Sequence, residues 1–249
     1  YRAVIALGVA TVLRLYPAIL LLPFVLILSS KTRQRWELFL VGLTPFLLSL
    51  VAESFSKQSA TAIKDITGLS HISYPLAMRF SFDITPYDNL YIFVFIYALL
   101  IFYLLLKPPT GFINLVRFSL YIMLTFLATS FFHPHYFSWL LPFLIFFIQD
   151  KAVTNFYWVQ IGSWLVYTFQ WGRPLAAYLI APLSPAFFWS LPAPIELVEK
   201  IMPAVQLIGV GHTVFSASSL VLIYLVYKQS QATVLSPETL PKQEVKVET

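Results

Sequence analysis

The side chains of this 249-residue chain that could do chemistry are few: four histidines, 11 acids, 16 basic residues and no cysteine. Two of the histidines flank a proline in SFFHPHYFSWLLPF, residues 130–143, with Tyr136 and Trp139 close behind. Imidazole can donate a hydrogen bond and titrates near neutrality, so His133 and His135 suit a phosphate or a sugar hydroxyl. Tyr136 and Trp139 read either as a stacking wall for a sugar ring or as an interfacial aromatic belt. No metal is expected, because zinc takes three or four ligands at larger spacings and neither His-Glu-x-x-His nor a thiolate is present. No cofactor motif is found either.

Arg14 stands in ATVLRLYPAILLLPF, residues 10–24. An arginine deep in a membrane span costs roughly 2.5–3.5 kcal/mol on insertion scales, so it needs a cavity or a partner. A guanidinium binds phosphate well. Arg14 is therefore a candidate for the phosphate of a lipid-linked substrate, with Tyr16 adding a hydroxyl and Pro17 aiming both. The alternatives are pairing with a carboxylate or carbonyls inside the bundle, or snorkelling from a re-entrant hairpin at Pro17. The segment 54–88 carries Lys57, Lys64, Asp65, His71, Arg79, Asp83 and Asp88. Paired carboxylates can serve acid–base chemistry, but acids in a loop are usually just solvated. No Walker or G-x-S-x-G pattern is present, and thiol catalysis is excluded.

These residues must be positioned by a very apolar chain. It is 59% hydrophobic and 11% charged, against about 25% charged in soluble domains, and its mean hydropathy is +0.78. Strict alternation over roughly ten-residue segments, the mark of a membrane barrel, is missing. The expected fold is all-α, a polytopic transmembrane bundle of about seven spans at 3–29, 38–53, 89–106, 114–132, 136–149, 155–171 and 205–227. The first is expected to break at Pro17. This gives a transmembrane region over 1–228, external loops at 54–88 and 172–204, and a disordered cytoplasmic tail at 229–249. Seven crossings place Lys31, Arg33, Arg35, Lys107, Arg117, Lys151, Lys228, Lys242 and Lys246 on one side. Arg2, Lys57, Lys64, Arg79, Arg173 and Lys200 fall on the other. The richer side is taken as cytoplasmic. His71, His133, His135 and His212 then share the external side. In 172–204, Phe187, Phe188 and Trp189 read as interfacial anchors. PIELVEKIMP reads as an amphipathic helix with Ile195, Val198, Ile201 and Met202 on one face, lying on the membrane or packed on the bundle. The net charge of +5 is no nucleic-acid signature in this setting. The chain begins at Tyr1 with no distinct signal peptide, so a preceding N-terminal part is expected.

LRLYPAILLLPF (13–24) resembles the basic-x-Tyr-Pro stretch of GT-C type glycosyltransferases that use polyprenol-phosphate sugars, as in glycosyltransferase family 87 and the catalytic subunit of GPI mannosyltransferase I. HPHYFSWLLPFL (133–144) is similar to the later PQY-x-x-W-x-x-P stretch of those families. Pro134, Tyr136, Trp139 and Pro142 match, and His135 stands where they carry glutamine. The resemblance implies an integral membrane enzyme with a GT-C-like fold. It would move a sugar, often mannose, from a polyprenyl phosphate to a glycan or glycolipid acceptor on the external face, with inversion. It implies a phosphate contact at Arg14, and a donor site lined or supported by Tyr136 and Trp139. The catalytic acid of such enzymes lies in an early external loop, expected upstream of Tyr1. The membrane would be the plasma membrane in a bacterium or the endoplasmic reticulum in a eukaryote. The rival readings are a transporter or flippase of a lipid-linked substrate, and a non-catalytic scaffold.

Overall fold

The computed structural model describes residues 1–13, 17–55, 76, 78–81, 89–131, 133–171 and 182–235. These are mostly helical. The elements are α1 (Arg2–Leu13), α2 (Ala18–Leu28), α3 (Thr32–Phe55), β1 (Arg79–Ser81), β2 (Asn89–Tyr91), α4 (Ile92–Leu106) and α5 (Phe112–Thr129). A 3₁₀ helix (Pro134–Leu140) then runs into α6 (Leu141–Leu144), followed by α7 (Lys151–Thr168), a 3₁₀ turn (Phe169–Trp171), α8 (Pro185–Ser190), α9 (Pro194–Val198) and α10 (Ala204–Leu235). Two helices, α5 and Ala204–Gln231 of α10, are long and apolar enough to cross a membrane.

Helix α5 is the hub. Every residue from Phe118 to Ser130 is buried, and α2, α4, α10 and the 3₁₀ helix pack around it, with α7 against α10. The core cluster runs from Leu26 and Leu104 through Leu120, Leu124 and Leu127 to Phe215 and Leu222. Polar side chains bridge the outer pairs: Gln160 Nε2 donates to Ser219 Oγ at 2.8 Å between α7 and α10, both residues fully buried. Such bonds suit an environment with no competing water.

The break expected at Pro17 is present, but its consequence differs from a bent single crossing. Tyr1 lies beside Glu37, its hydroxyl 3.2 Å from Oε2, and Gly8 of α1 packs against Gly42 of α3. Helix α1 therefore runs parallel to α3. Helix α2 runs back and joins α3 through the short turn Ser29–Lys31, where Arg35 donates to the Ser29 carbonyl at 2.7 Å. The segment 3–29 is thus a helical hairpin whose two ends meet at the same side, and Arg2 sits at the basic end rather than opposite it. Proline supplies the cause: Pro17 cannot continue α1's backbone ladder, and it stands at the N-terminus of α2 with φ −56° and ψ −21°. Pro23, inside α2, removes the N–H that would meet the Ile19 carbonyl. The Tyr97 hydroxyl of α4 donates to that carbonyl instead, at 2.8 Å.

The expected span 136–149 is not a continuous α-helix. Pro134 opens a 3₁₀ helix, Pro142 falls in the first turn of α6, and residues 145–149 are turns with bonds such as Phe147 N–H to Leu144 O at 2.8 Å. The three-residue repeat eclipses side chains, so His135, Ser138 and Leu141 form one exposed row while Phe137 and Leu140 are buried. Two short strands, β1 and β2, pair antiparallel with Arg79 opposite Tyr91, an element the all-helical expectation lacked. Helix α10 continues to Leu235, past the boundary expected at Gln229. Helix α9 covers only the first five residues of PIELVEKIMP; Ile195, Val198 and Met202 are half-buried, but Ile201, in the turns after α9, is 88% exposed and does not share their face.

The basic connections share one end. Ser29 and Ser30 lie by Thr110 and Gly111, Pro109 and Asn114 lie by Tyr227 and Gln231, and Gln229 Nε2 donates to Asp150 Oδ2 at 3.0 Å. Asp150 also caps α7 by accepting from the Ala152 N–H at 2.7 Å. The Gln229 and Ala152 donors hold its carboxyl below the usual range. At the opposite end the 130–136 turn, the end of α7 and the start of α10 come together.

Candidate functional site

At that opposite end, the structure gathers three histidines from remote parts of the chain. The His133–Pro134–His135 turn is fixed from behind by Trp164 of α7, whose indole N–H donates to the Pro134 carbonyl at 3.1 Å. The Tyr136 N–H bonds to His133 O at 2.9 Å, starting the 3₁₀ helix. The imidazoles of His133 and His135 stack, with centroids 5.7 Å apart and planes at 21°. His133 lies 5.7 Å from Trp171, Trp171 lies 5.5 Å from Tyr167, and Tyr167 lies 4.9 Å from His212 of α10. One continuous line of rings therefore runs from His135 to His212.

Tyr136 and Trp139 occupy different places in this line. Tyr136 is 1% exposed and stacks on Trp139 at 4.4 Å and 22°, and its ring also meets His135 edge-on at 4.4 Å. It supports; it does not face outward. Trp139 and His133 are half-buried and His135 is exposed, so these three are the ones a ligand could reach. His212 is anchored by Nε2 3.4 Å from the Leu127 carbonyl, and Ser216 donates to the Ala128 carbonyl at 2.6 Å. These contacts tie the start of α10 to the last turn of α5.

Of the expected phosphate contacts, the structure brings together His133 and His135. Arg14 and Tyr16 fall between α1 and α2, outside the described residues. Lys57, Lys64, Asp65, His71, Asp83 and Asp88 lie outside them too, so the acid pair of SFDITPYDN has no described place. Among the described residues, no group of three His, Cys, Asp or Glu side chains forms a metal-ligating set. Glu196 is the acid whose helix, α9, touches the Phe169–Trp171 turn; its carboxylate accepts from the Ala193 N–H at 3.2 Å. The arrangement offers imidazole donors and flat ring faces, the equipment for holding an anion beside a polyol.

Residue spacing alone does not pick out Tyr167 and Trp171. Tyr167 and Trp171 are four apart at the end of an apolar segment, as the HPH turn is, and that shared position was the available signal. No family model, no curated protein and no solved structure matches the chain.

Proposed function

We propose that the chain is part of a polytopic membrane glycosyltransferase of GT-C type, and that the ring line at the histidine end is the rim of its donor site. The donor would be a polyprenyl-phosphate sugar and the acceptor a glycan or glycolipid on the non-basic side of the bilayer. The single observation that supports it most is the assembly of His133, His135 and Trp139 at an accessible end, backed by Tyr136. Those residues fall in the segment whose sequence resembles that family. In this reading the imidazoles contact the phosphate leaving group and the Trp139 face packs on the sugar. Arg14 and Tyr16 join the proposal by sequence alone. The acceptor's base is not assigned to a described residue. The chain would cross the bilayer with α3, α4, α5, the 134–149 rod, α7 and α10, and the α1–α2 hairpin would enter from the basic side. At about 2 Å rise per 3₁₀ residue and 1.5 Å per α residue, the rod covers roughly 25–30 Å, close to the hydrocarbon thickness.

The test is binding of a short-chain polyprenyl-phosphate mannose to the full chain in lipid nanodiscs, with polyprenol as the phosphate-free control. A hydrogen bond to a charged group is worth about 1.5–3 kcal/mol, so His135→Ala should weaken binding roughly 10–150-fold. Trp139→Ala should discriminate less between the sugar-bearing donor and bare polyprenyl phosphate. Equal binding of donor and polyprenol, or donor affinity unchanged in both correctly inserted variants, would reject the reading.

A further inference from the structure

The basic end holds a second polar feature, independent of the donor-site reading. A cavity of about 560 Å³ opens between α4, α5 and α10. Arg117 and Tyr121, one turn apart on α5, both line it. The Arg117 guanidinium donates to the Asn114 side-chain oxygen through one terminal nitrogen. Its Nε is buried and has no hydrogen-bond partner, and neither does the buried Tyr121 hydroxyl. Buried polar groups are almost always bonded, so two unpartnered donors on residues that line one cavity point to an acceptor within it. Among the described residues no carboxylate lines the cavity, so none of them meets the arginine's charge there.

The lining is graded along the bundle. Toward the basic end it is polar: Asn114 and Arg117 from the start of α5, and Tyr227, Ser230 and Gln231 from the far part of α10. Further in, it is made by Ile96, Leu99 and Leu100 of α4 and Ile223 of α10. Leu99 is 52% exposed at the flank of the bundle. A polar, cationic mouth at the interface above an apolar trough is the layout of a phospholipid, headgroup outward and chains inward. The volume falls in the range of ligand sites.

We propose that this cavity binds the phosphate of an anionic phospholipid from the leaflet at the basic end. Arg117 and Tyr121 donate to its phosphate oxygens, and an acyl chain lies along Ile96, Leu99 and Ile223. An arginine matches a phosphodiester with two parallel donors, which accounts for a guanidinium left with an unmatched Nε. The basic loops around the mouth add attraction for that leaflet.

The test measures lipid binding to the detergent-solubilised full chain by native mass spectrometry and by thermal shift. Dioleoyl phosphatidylglycerol is compared with dioleoylglycerol, which lacks the phosphate, and with inorganic phosphate, which lacks the chains. One phosphatidylglycerol should bind at least tenfold more tightly than dioleoylglycerol. Arg117→Gln should abolish that preference, Arg117→Lys should keep part of it, and Tyr121→Phe should reduce it several-fold. Leu99→Trp, which narrows the trough without touching the cation, should weaken phosphatidylglycerol and keeps the test decisive if Arg117→Gln fails to fold. The proposal is overturned if Arg117→Gln or Leu99→Trp retains full preference, as a water-filled cavity would allow, or if millimolar inorganic phosphate stabilises the protein as much as the lipid does.

Discussion

The Tyr97 hydroxyl answers a defect that Pro23 creates, and the two can be played against each other. In α2 the Ile19 carbonyl lacks its i+4 N–H, and Tyr97 supplies the donor at 2.8 Å. Tyr97→Phe keeps the ring, which stacks on Phe93 at 5.6 Å, and removes only the hydroxyl. Leaving a buried acceptor unsatisfied costs about 1–3 kcal/mol, which for a chain of this size lowers Tm by about 2–12 °C. Pro23→Ala restores a backbone donor to Ile19. In that background Tyr97→Phe should cost only on the order of 0.5 kcal/mol, giving a coupling of about 1–2 kcal/mol between residues on different helices. Unfolding of the four proteins in the same detergent, followed by loss of the monodisperse chromatographic peak on heating, measures this directly. An equal penalty for Tyr97→Phe in both backgrounds would show that the hydroxyl does not stand in for the missing N–H.

Gly8→Ala would place Cβ on top of the Gly42 carbonyl oxygen and 3.1 Å from Pro45 Cδ; the overpacking cost of about 1–3 kcal/mol outweighs the helix-propensity gain of about 1 kcal/mol. Gly162→Ala and Gly209→Ala meet nothing within 4 Å and should hold or raise Tm, so a Gly8→Ala protein as stable as these would contradict the α1–α3 contact. Gln160→Leu should be neutral or stabilising, because Gln160 Oε1 is buried without a partner and Ser219 keeps its own bond to the Phe215 carbonyl at 2.8 Å; a large fall in Tm would show that the amide does more than bridge two helices. Asp150 has a depressed carboxyl in the folded protein, so its contribution is present above the unfolded value near about 3.9 and is lost as pH falls through the lower folded one. The stability gap between the unaltered chain and Asp150→Ala should therefore be full at pH 7 and close on acidification below pH 4, and a gap independent of pH would refute the Gln229–Asp150–Ala152 arrangement.

Much of this architecture was legible because proline and charge act locally. Pro17 marked the break between α1 and α2, and the basic runs marked the connections that share one end. The sequence leaves the hairpin as one alternative, because hydropathy gives the length of an apolar run and not its direction of return. That direction is set by Gly8 and Gly42, which let α1 lie against α3 from the same end. The 3₁₀ helix was hidden for a similar reason: HYFSWLLPF is apolar at nearly every position, so no period separates a helix of three residues per turn from one of 3.6. Span counting puts His212 on the histidine side, but its approach to Tyr167 is a packing result from α7 and α10. In the sequence Arg117 reads as a basic flank, and the tyrosine four residues on is the one signal of an inward-facing pair. Only the cavity shows that their donors go unmet.

The two polar regions stand at opposite ends of α5, and their separation bears on the rival readings. A carrier that passed a lipid headgroup through the bundle would need a polar route from Arg117 to His133. Between them α5 is buried from Phe118 to Ser130; Ser119 donates to Leu115 O and Thr129 to Thr125 O, both at 2.8 Å, while the Tyr121 hydroxyl and Ser130 Oγ, toward the two ends of that stretch, are buried without a partner. The remaining surfaces there, Leu120, Leu124 and Leu127, are fully buried against neighbouring helices. Desolvating a phosphate along the apolar middle of that path, at Leu120, Leu124 and Leu127, would be opposed by several kcal/mol. In this conformation a headgroup has no continuous polar route along α5 between the two ends, a route that the proposed transferase, with donor and acceptor meeting at one face, does not need. In the proposed reading the Arg117 cavity is a separate lipid contact at the basic end.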